Sequence, residues 1–145
     1  MSSQSNFTSR YGTATIDNER LYRFLSDMRN FSSVAQKSRI DRWQAEEGSC
    51  SFEIPVAGEV RVSLAEARPY NLVSYKGEAF RDTPFVIDIE MENLSPGETG
   101  FRIVLNAALN PMLRVAVKGP INEFLGKLVS EIERFDRWDE ITEDT

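Results

Sequence analysis

A chain of 145 residues, 41% hydrophobic and 28% charged, has the size and balance of one globular domain with a respectable core. It holds no histidine and one cysteine, which removes Ser-His and Cys-His nucleophiles, an internal disulfide and most zinc sites. Its formal charge of −6 argues against binding nucleic acid through phosphates, and no apolar run approaches the roughly 18 residues of a membrane span.

In chain order, residues 1–5 are polar and read as a flexible end, and residues 1–12 carry no apolar signal-peptide core, so a cytoplasmic location is expected. Residues 7–16, rich in Thr and aromatics, read as one strand. Asp17 is an N-cap for a helix whose apolar face is Leu21, Phe24, Leu25 and Met28. Asn30 is a second cap, for a short helix carrying Phe31, Val34 and Ala35. Strands follow. Residues 40–47 and 49–54 flank a hairpin turn at Glu47-Gly48-Ser49. Val60, Val62 and Leu64 alternate with Glu59, Arg61 and Ser63, and after Arg68-Pro69 the chain returns over 72–78. Residues 77–84 read as a longer loop with Arg81 and Asp82 exposed.

The clearest hairpin turns at Ser95-Pro96-Gly97. Setting Glu90 opposite Arg102 also sets Met91 opposite Phe101, Ile89 opposite Ile103 and Ile87 opposite Leu105. One register thus pairs charge with charge and apolar with apolar. The same alternation puts Asp88, Glu90 and Glu92 in solvent, as a wet face and not a carboxylate cluster. Asn110 and Pro111 are a cap and first residue for a long closing helix, whose stripe runs Leu113, Val117, Ile121, Phe124, Leu128, Ile132, Phe135, widened by Val115, Leu125 and Val129. Gly119-Pro120 predicts a kink or short break. Gly126 predicts either close packing on the sheet or room for a ligand. Residues 131–145 hold seven acids and two bases, a solvated acidic end into which Trp138 and Ile141 extend the apolar stripe.

The predicted class is α+β: a curved antiparallel sheet of about seven strands around a long C-terminal helix, with two short helices after strand one. This order resembles the START/polyketide-cyclase-like (SRPBCC) superfamily, which has the helix-grip fold and includes plant pathogenesis-related allergens. Three stretches resemble its small bacterial members: Leu21-Tyr22-Arg23-Phe24-Leu25-Ser26-Asp27, Asp41-Arg42-Trp43-Gln44-Ala45 before Cys50-Ser51-Phe52, and Leu109-Asn110-Pro111-Met112-Leu113. The resemblance spans nearly the whole chain and implies one domain over residues 1–145, with 1–5 and 140–145 as flexible ends. It implies an apolar cavity between sheet and helix, used in the superfamily for lipids, sterols or polyketides. It carries no universal catalytic motif, and Glu47-Gly48-Ser49 is much shorter than the glycine-rich loop of the plant allergens.

Candidate ligand-binding residues, from alternation and the helical stripe, are Phe52, Val62, Phe85, Ile87, Ile89, Ile103, Leu105, Phe124 and Leu128, with Ile54 beside them; Met112 is added as an adaptable thioether at a flexible mouth, and Tyr75 as a polar group to orient a cargo. For any one of them, core filling is the simpler reading. Trp43, Asn106 and Arg114 are further polar candidates, Asn106 on the outer face, and Cys50 reads as a small strand residue before a nucleophile. No metal and no cofactor are expected. The expected partner is a hydrophobic small molecule, bound by a monomer or weak homodimer that has no stable membrane insertion and no nucleic-acid role. The alternatives are a cyclase/dehydratase-type enzyme and a protein-interaction module using Phe135, Trp138 and Ile141.

Overall fold

The computed structural model describes residues 4–32, 41–54, 58–79 and 83–134. Its strands are β1 (Gln4–Thr8), β2 (Gly12–Ala14), β3 (Asp41–Ala45), β4 (Ser49–Ile54), β5 (Gly58–Arg68), β6 (Leu72–Ala79), β7 (Thr83–Ser95) and β8 (Glu98–Ala108). Helix α1 (Asn18–Ser26) leads into a short 3-10 turn (Met28–Phe31), and α2 (Pro111–Arg134) comes last. All pairings are antiparallel in the order β1-β8-β7-β6-β5-β4-β3, with β2 also on β8. The expected positions of Val34, Ala35, Arg81, Asp82, Phe135, Trp138 and Ile141 lie outside the described residues.

The β7–β8 register is the expected one: Glu90↔Arg102, Met91↔Phe101, Ile89↔Ile103 and Ile87↔Leu105. Arg102 donates to Glu90 at 2.9 Å and packs over the exposed ring of Tyr11 at 5.3 Å. The long strands are bent by bulges in β3, β5 and β7, where one extra residue raises local twist.

Several expectations are corrected. The first strand is two strands, so the sheet has eight. Phe7 pairs with Leu105 but Gly12 with Phe101, which leaves one residue over between them. Ser9 absorbs it: its N–H donates to the Ile103 carbonyl and its hydroxyl accepts from the Ile103 N–H. Glycine at position 12 is required because a Cβ there would lie 2.6 Å from the Phe101 ring and 2.7 Å from Val129. A 3-10 turn, Met28–Phe31, comes directly after α1 and is capped by Asp27, whose carboxylate accepts from the Arg29 N–H at 3.0 Å. Asn30 is buried in that turn, its amide donating to the Phe24 carbonyl, and most of the helix it was expected to cap falls beyond it, outside the described residues.

The expected loop at 77–84 is mostly strand. Gly77 pairs with Phe85, Glu78 with Pro84 and Ala79 with Thr83. The glycine that suggested a loop is there for close approach: a Cβ would sit 2.3 Å from the Arg61 carbonyl oxygen. Finally, α2 stays helical through Pro120. Pro120 is exposed, so the carbonyl it leaves unbonded can be met by water. The caps of α1 and α2 are as expected: Asp17 accepts from the Arg20 N–H, and Asn110 from the Leu113 N–H.

The core gathers Leu21, Phe24 and Leu25 of α1, the inner faces of β6–β8, and Val117, Leu125, Val129 and Ile132 of α2. Helix α2 packs most closely on β1, β2 and β8 at one margin of the sheet. The inner faces of β4–β7 therefore meet α2 only through long side chains. That offset creates the space described next.

Candidate ligand cavity

Two apolar chambers lie between sheet and α2. The first, about 90 Å³, is bounded by Met28, Phe31, Trp43, Cys50 and Tyr75, with Ile89 and Leu128 closing it. The second, about 120 Å³, is bounded by Val60, Ala79, Thr83, Phe85, Leu105, Ala107 and Leu109, and on the α2 side by Val117, Pro120 and Ile121. Phe52, Val62, Ile87 and Phe124 line both, so they form a shared waist. An apolar cavity of roughly 150 Å³ accepts a benzene-sized molecule and otherwise stays dry. Each chamber is therefore near the size of one small ring or a few methylenes.

The positioning follows from local pattern. Phe52 and Cys50 alternate inward on β4, Val60 and Val62 on β5, and Phe85, Ile87 and Ile89 on β7. Phe124 and Leu128 are one helical turn apart on α2. Trp43 stacks on Phe52 at 5.9 Å between ring centres, and Phe31 meets Tyr75 edge-on at 6.3 Å. These aromatic pairs make the wall stiff at the first chamber.

The polar tips are already engaged by protein. The Tyr75 hydroxyl donates to the Leu25 carbonyl at 2.5 Å, and the Trp43 indole donates to the Ser32 hydroxyl at 2.9 Å. Burial pushes the Cys50 thiol up to about 12. Burial, and then the nearby Cys50, holds the Tyr75 phenol well above its ordinary range. Both groups are neutral at pH 7. They are the only titratable side chains on the chamber walls among the described residues. The chambers thus present carbon, one thiol and almost no polar surface.

Of the residues singled out from sequence, Phe52, Val62, Tyr75, Phe85, Ile87, Ile89, Leu105, Phe124 and Leu128 line a chamber. Ile103 is fully buried in the core and lines neither chamber. Met112 is 84% exposed on the first turn of α2, pointing away from the sheet. The side chain of Ile54 is outside the described residues. Asn106 is on the outer face, bonded to Asn6 at 2.9 Å, and Arg114 is in solvent. Gly126 fits neither expected role, since a Cβ there would meet nothing within 4 Å and it lines no chamber. Sequence reasoning missed Met28, Val60, Val117 and Ile121 as wall residues, although each lies on an apolar stripe that it did identify, and it missed Ala79 because it placed that residue in a loop. Among the described residues, Asp88, Glu90 and Glu92 are part of no group able to hold a metal, and no helix is long and apolar enough to cross a membrane.

No family model and no curated protein sequence matches the chain. Solved structures do. Norcoclaurine synthase from Thalictrum flavum, in complex with dopamine and hydroxybenzaldehyde, aligns over 97% of this chain and 90% of its own at TM-score 0.70 and 8% identity. The ZhuI aromatase/cyclase from Streptomyces sp. R1128 aligns over 91% and 95% at TM-score 0.61 and 16% identity. A conserved protein from Geobacillus kaustophilus aligns over 90% and 95% at TM-score 0.61 and 12% identity. At such identities the likeness speaks for backbone architecture alone, and on that basis the chain has the helix-grip fold.

Proposed function

We propose that this protein binds and carries a hydrophobic small molecule in the two-chambered cavity between sheet and α2, and that it works in the cytoplasm. The observation that carries the reading is the wall itself: two adjoining apolar chambers whose few polar tips are bonded to protein. Removing about 250 Å² of ligand apolar surface from water contributes roughly 6 kcal/mol before the cost of immobilising the ligand. Shape and length would set selectivity, since the wall offers few groups for orienting polar functions. Entry is assigned to the second chamber, where exposed Pro120 and the facing ends of β6 and β7 at Ala79 and Thr83 meet.

The likeness to norcoclaurine synthase and to an aromatase/cyclase motivates a cyclase-type reading as the alternative. That chemistry needs an acid or base that exchanges protons near neutral pH. Cys50 and Tyr75 are held protonated there, which favours the carrier reading.

The test is native mass spectrometry of the purified full chain, with titration by a fluorescent apolar probe. The expected result is a co-purifying or titratable apolar ligand that stabilises the fold by about 2.7 kcal/mol at a hundredfold excess over Kd. A chain that takes up no apolar probe of one-ring or two-ring size would overturn the proposal.

A further inference from the structure

The outer side of α2 carries a feature that neither the core nor the cavity uses. Met112 and Val115 are 84% and 80% exposed. They lie one turn apart and are flanked by Arg114 and Lys118, which share a shallow surface depression with Pro111 and Val115. Neither cation makes an ion pair among the described residues. The sequence holds no Asp or Glu between Glu98 and Glu123, although the whole chain is at −6. The first three turns of α2 are thus a locally basic, apolar-tipped face on an otherwise acidic molecule. The same turns form the wall of the second chamber from beneath, through Val117, Pro120 and Ile121.

We propose that this face docks on an anionic lipid surface. Two apolar side chains at the centre and two cations at their flank match the arrangement by which a helix lies in the interface, with apolar groups below the headgroups and cations among them. The charge pattern also sets orientation: the basic face is drawn to anionic headgroups, while the acidic remainder is repelled. Docking there places the second chamber directly behind the membrane-facing helix. Pro120 deprives that stretch of one helical hydrogen bond, and Gly119 has nothing within 4 Å of its Cβ position. A small displacement of these turns toward lipid would draw Val117, Pro120 and Ile121 off the chamber. The exchange of cargo with the membrane rests on the carrier reading; the docking itself does not.

The experiment is co-sedimentation of the full chain with phosphatidylcholine vesicles, with and without phosphatidylglycerol. Binding is expected only to the anionic vesicles, and is expected to be lost in roughly 0.5 M salt. Arg114→Glu and Lys118→Glu should each weaken it by about fivefold or more. Met112→Ser with Val115→Ser should abolish it while thermal unfolding and uptake of the apolar probe stay as in the parent, since both side chains are exposed. Failure of the parent to bind anionic vesicles would overturn the docking, as would equal binding by the Met112/Val115 variant. Self-association of the parent that those same substitutions abolish would also overturn it, by giving the face to a second copy. Vesicle binding without probe uptake would leave the docking standing and remove only the carrier reading.

Discussion

Cys50 and Tyr75 bound the first chamber, and their protons link the cavity to stability. The Cys50 thiol is pushed up to about 12 by burial, so the folded state keeps a proton that the unfolded chain gives up from about pH 9. Its contribution is complete below the unfolded value and is lost as pH rises toward the folded one. The slope expected from this one proton is about 1.4 kcal/mol per pH unit at most. Cys50→Ala should flatten that alkaline loss in urea titrations between about pH 9 and 11. Native Cys50 should resist iodoacetamide at pH 8 and react after unfolding, because the thiolate is the nucleophile. Asp27 has the opposite sign. Hydrogen bonds from Arg29, at 2.9 and 2.5 Å, hold its carboxyl below the usual range against the cost of burial. Its stabilisation is present above the unfolded value near pH 4. It is lost as pH falls through the lower folded value. Asp27→Asn should cost about 1–2 kcal/mol at pH 7 and leave a shallower acid limb. Chemical denaturation across pH checks both.

At the scale of elements, glycine separates strands from helix. Gly77 lies where β5, β6 and β7 crowd together, and a Cβ there would meet a backbone oxygen at 2.3 Å and the Phe85 ring at 2.6 Å. Backbone cannot step aside cheaply, so Gly77→Ala should destabilise by about 3 kcal/mol or more, or prevent folding. Gly126 is the reverse case. It is interior to α2 with open space at its Cβ position. Gly126→Ala should stabilise by about 1 kcal/mol, read as a rise in denaturation midpoint with an unchanged slope. Both residues look alike in sequence, as lone glycines in patterned segments. Only the neighbours across the sheet, or their absence across the helix, tell them apart.

At the scale of the whole molecule, the cavity comes from where α2 sits. The helix packs against the β1, β2 and β8 margin and stands off the inner faces of β4–β7, with Phe124 reaching into the gap. Phe124 belongs to the waist, so its removal should join the chambers. Phe124→Ala should cost about 3 kcal/mol of stability. It should also shift probe preference from one-ring toward longer apolar molecules, measured as a ratio of Kd values. Equal loss of affinity for short and long probes would mean that Phe124 supports the fold without dividing the space.

Pairing information was legible in the sequence wherever two periodicities had to agree. The β7–β8 register, the turns at Gly48 and Gly97, the caps Asp17 and Asn110 and the start of α2 were all of this kind. Period-two alternation and short-range capping depend on residues close in sequence or on one self-consistent slip. From these the sequence by itself determined the order of elements, the wet and dry faces, and nine of the eleven candidate residues that now line a chamber. It did not determine the bulge at Ser9, the strand role of Gly77, the solvent-facing position of Met112 or the idle space at Gly126. Each of these depends on a distant neighbour. Whether the inward residues meet in a solid core or stand apart around two chambers was decided only by tertiary structure, because alternation fixes the direction of a side chain and not its distance from the facing one.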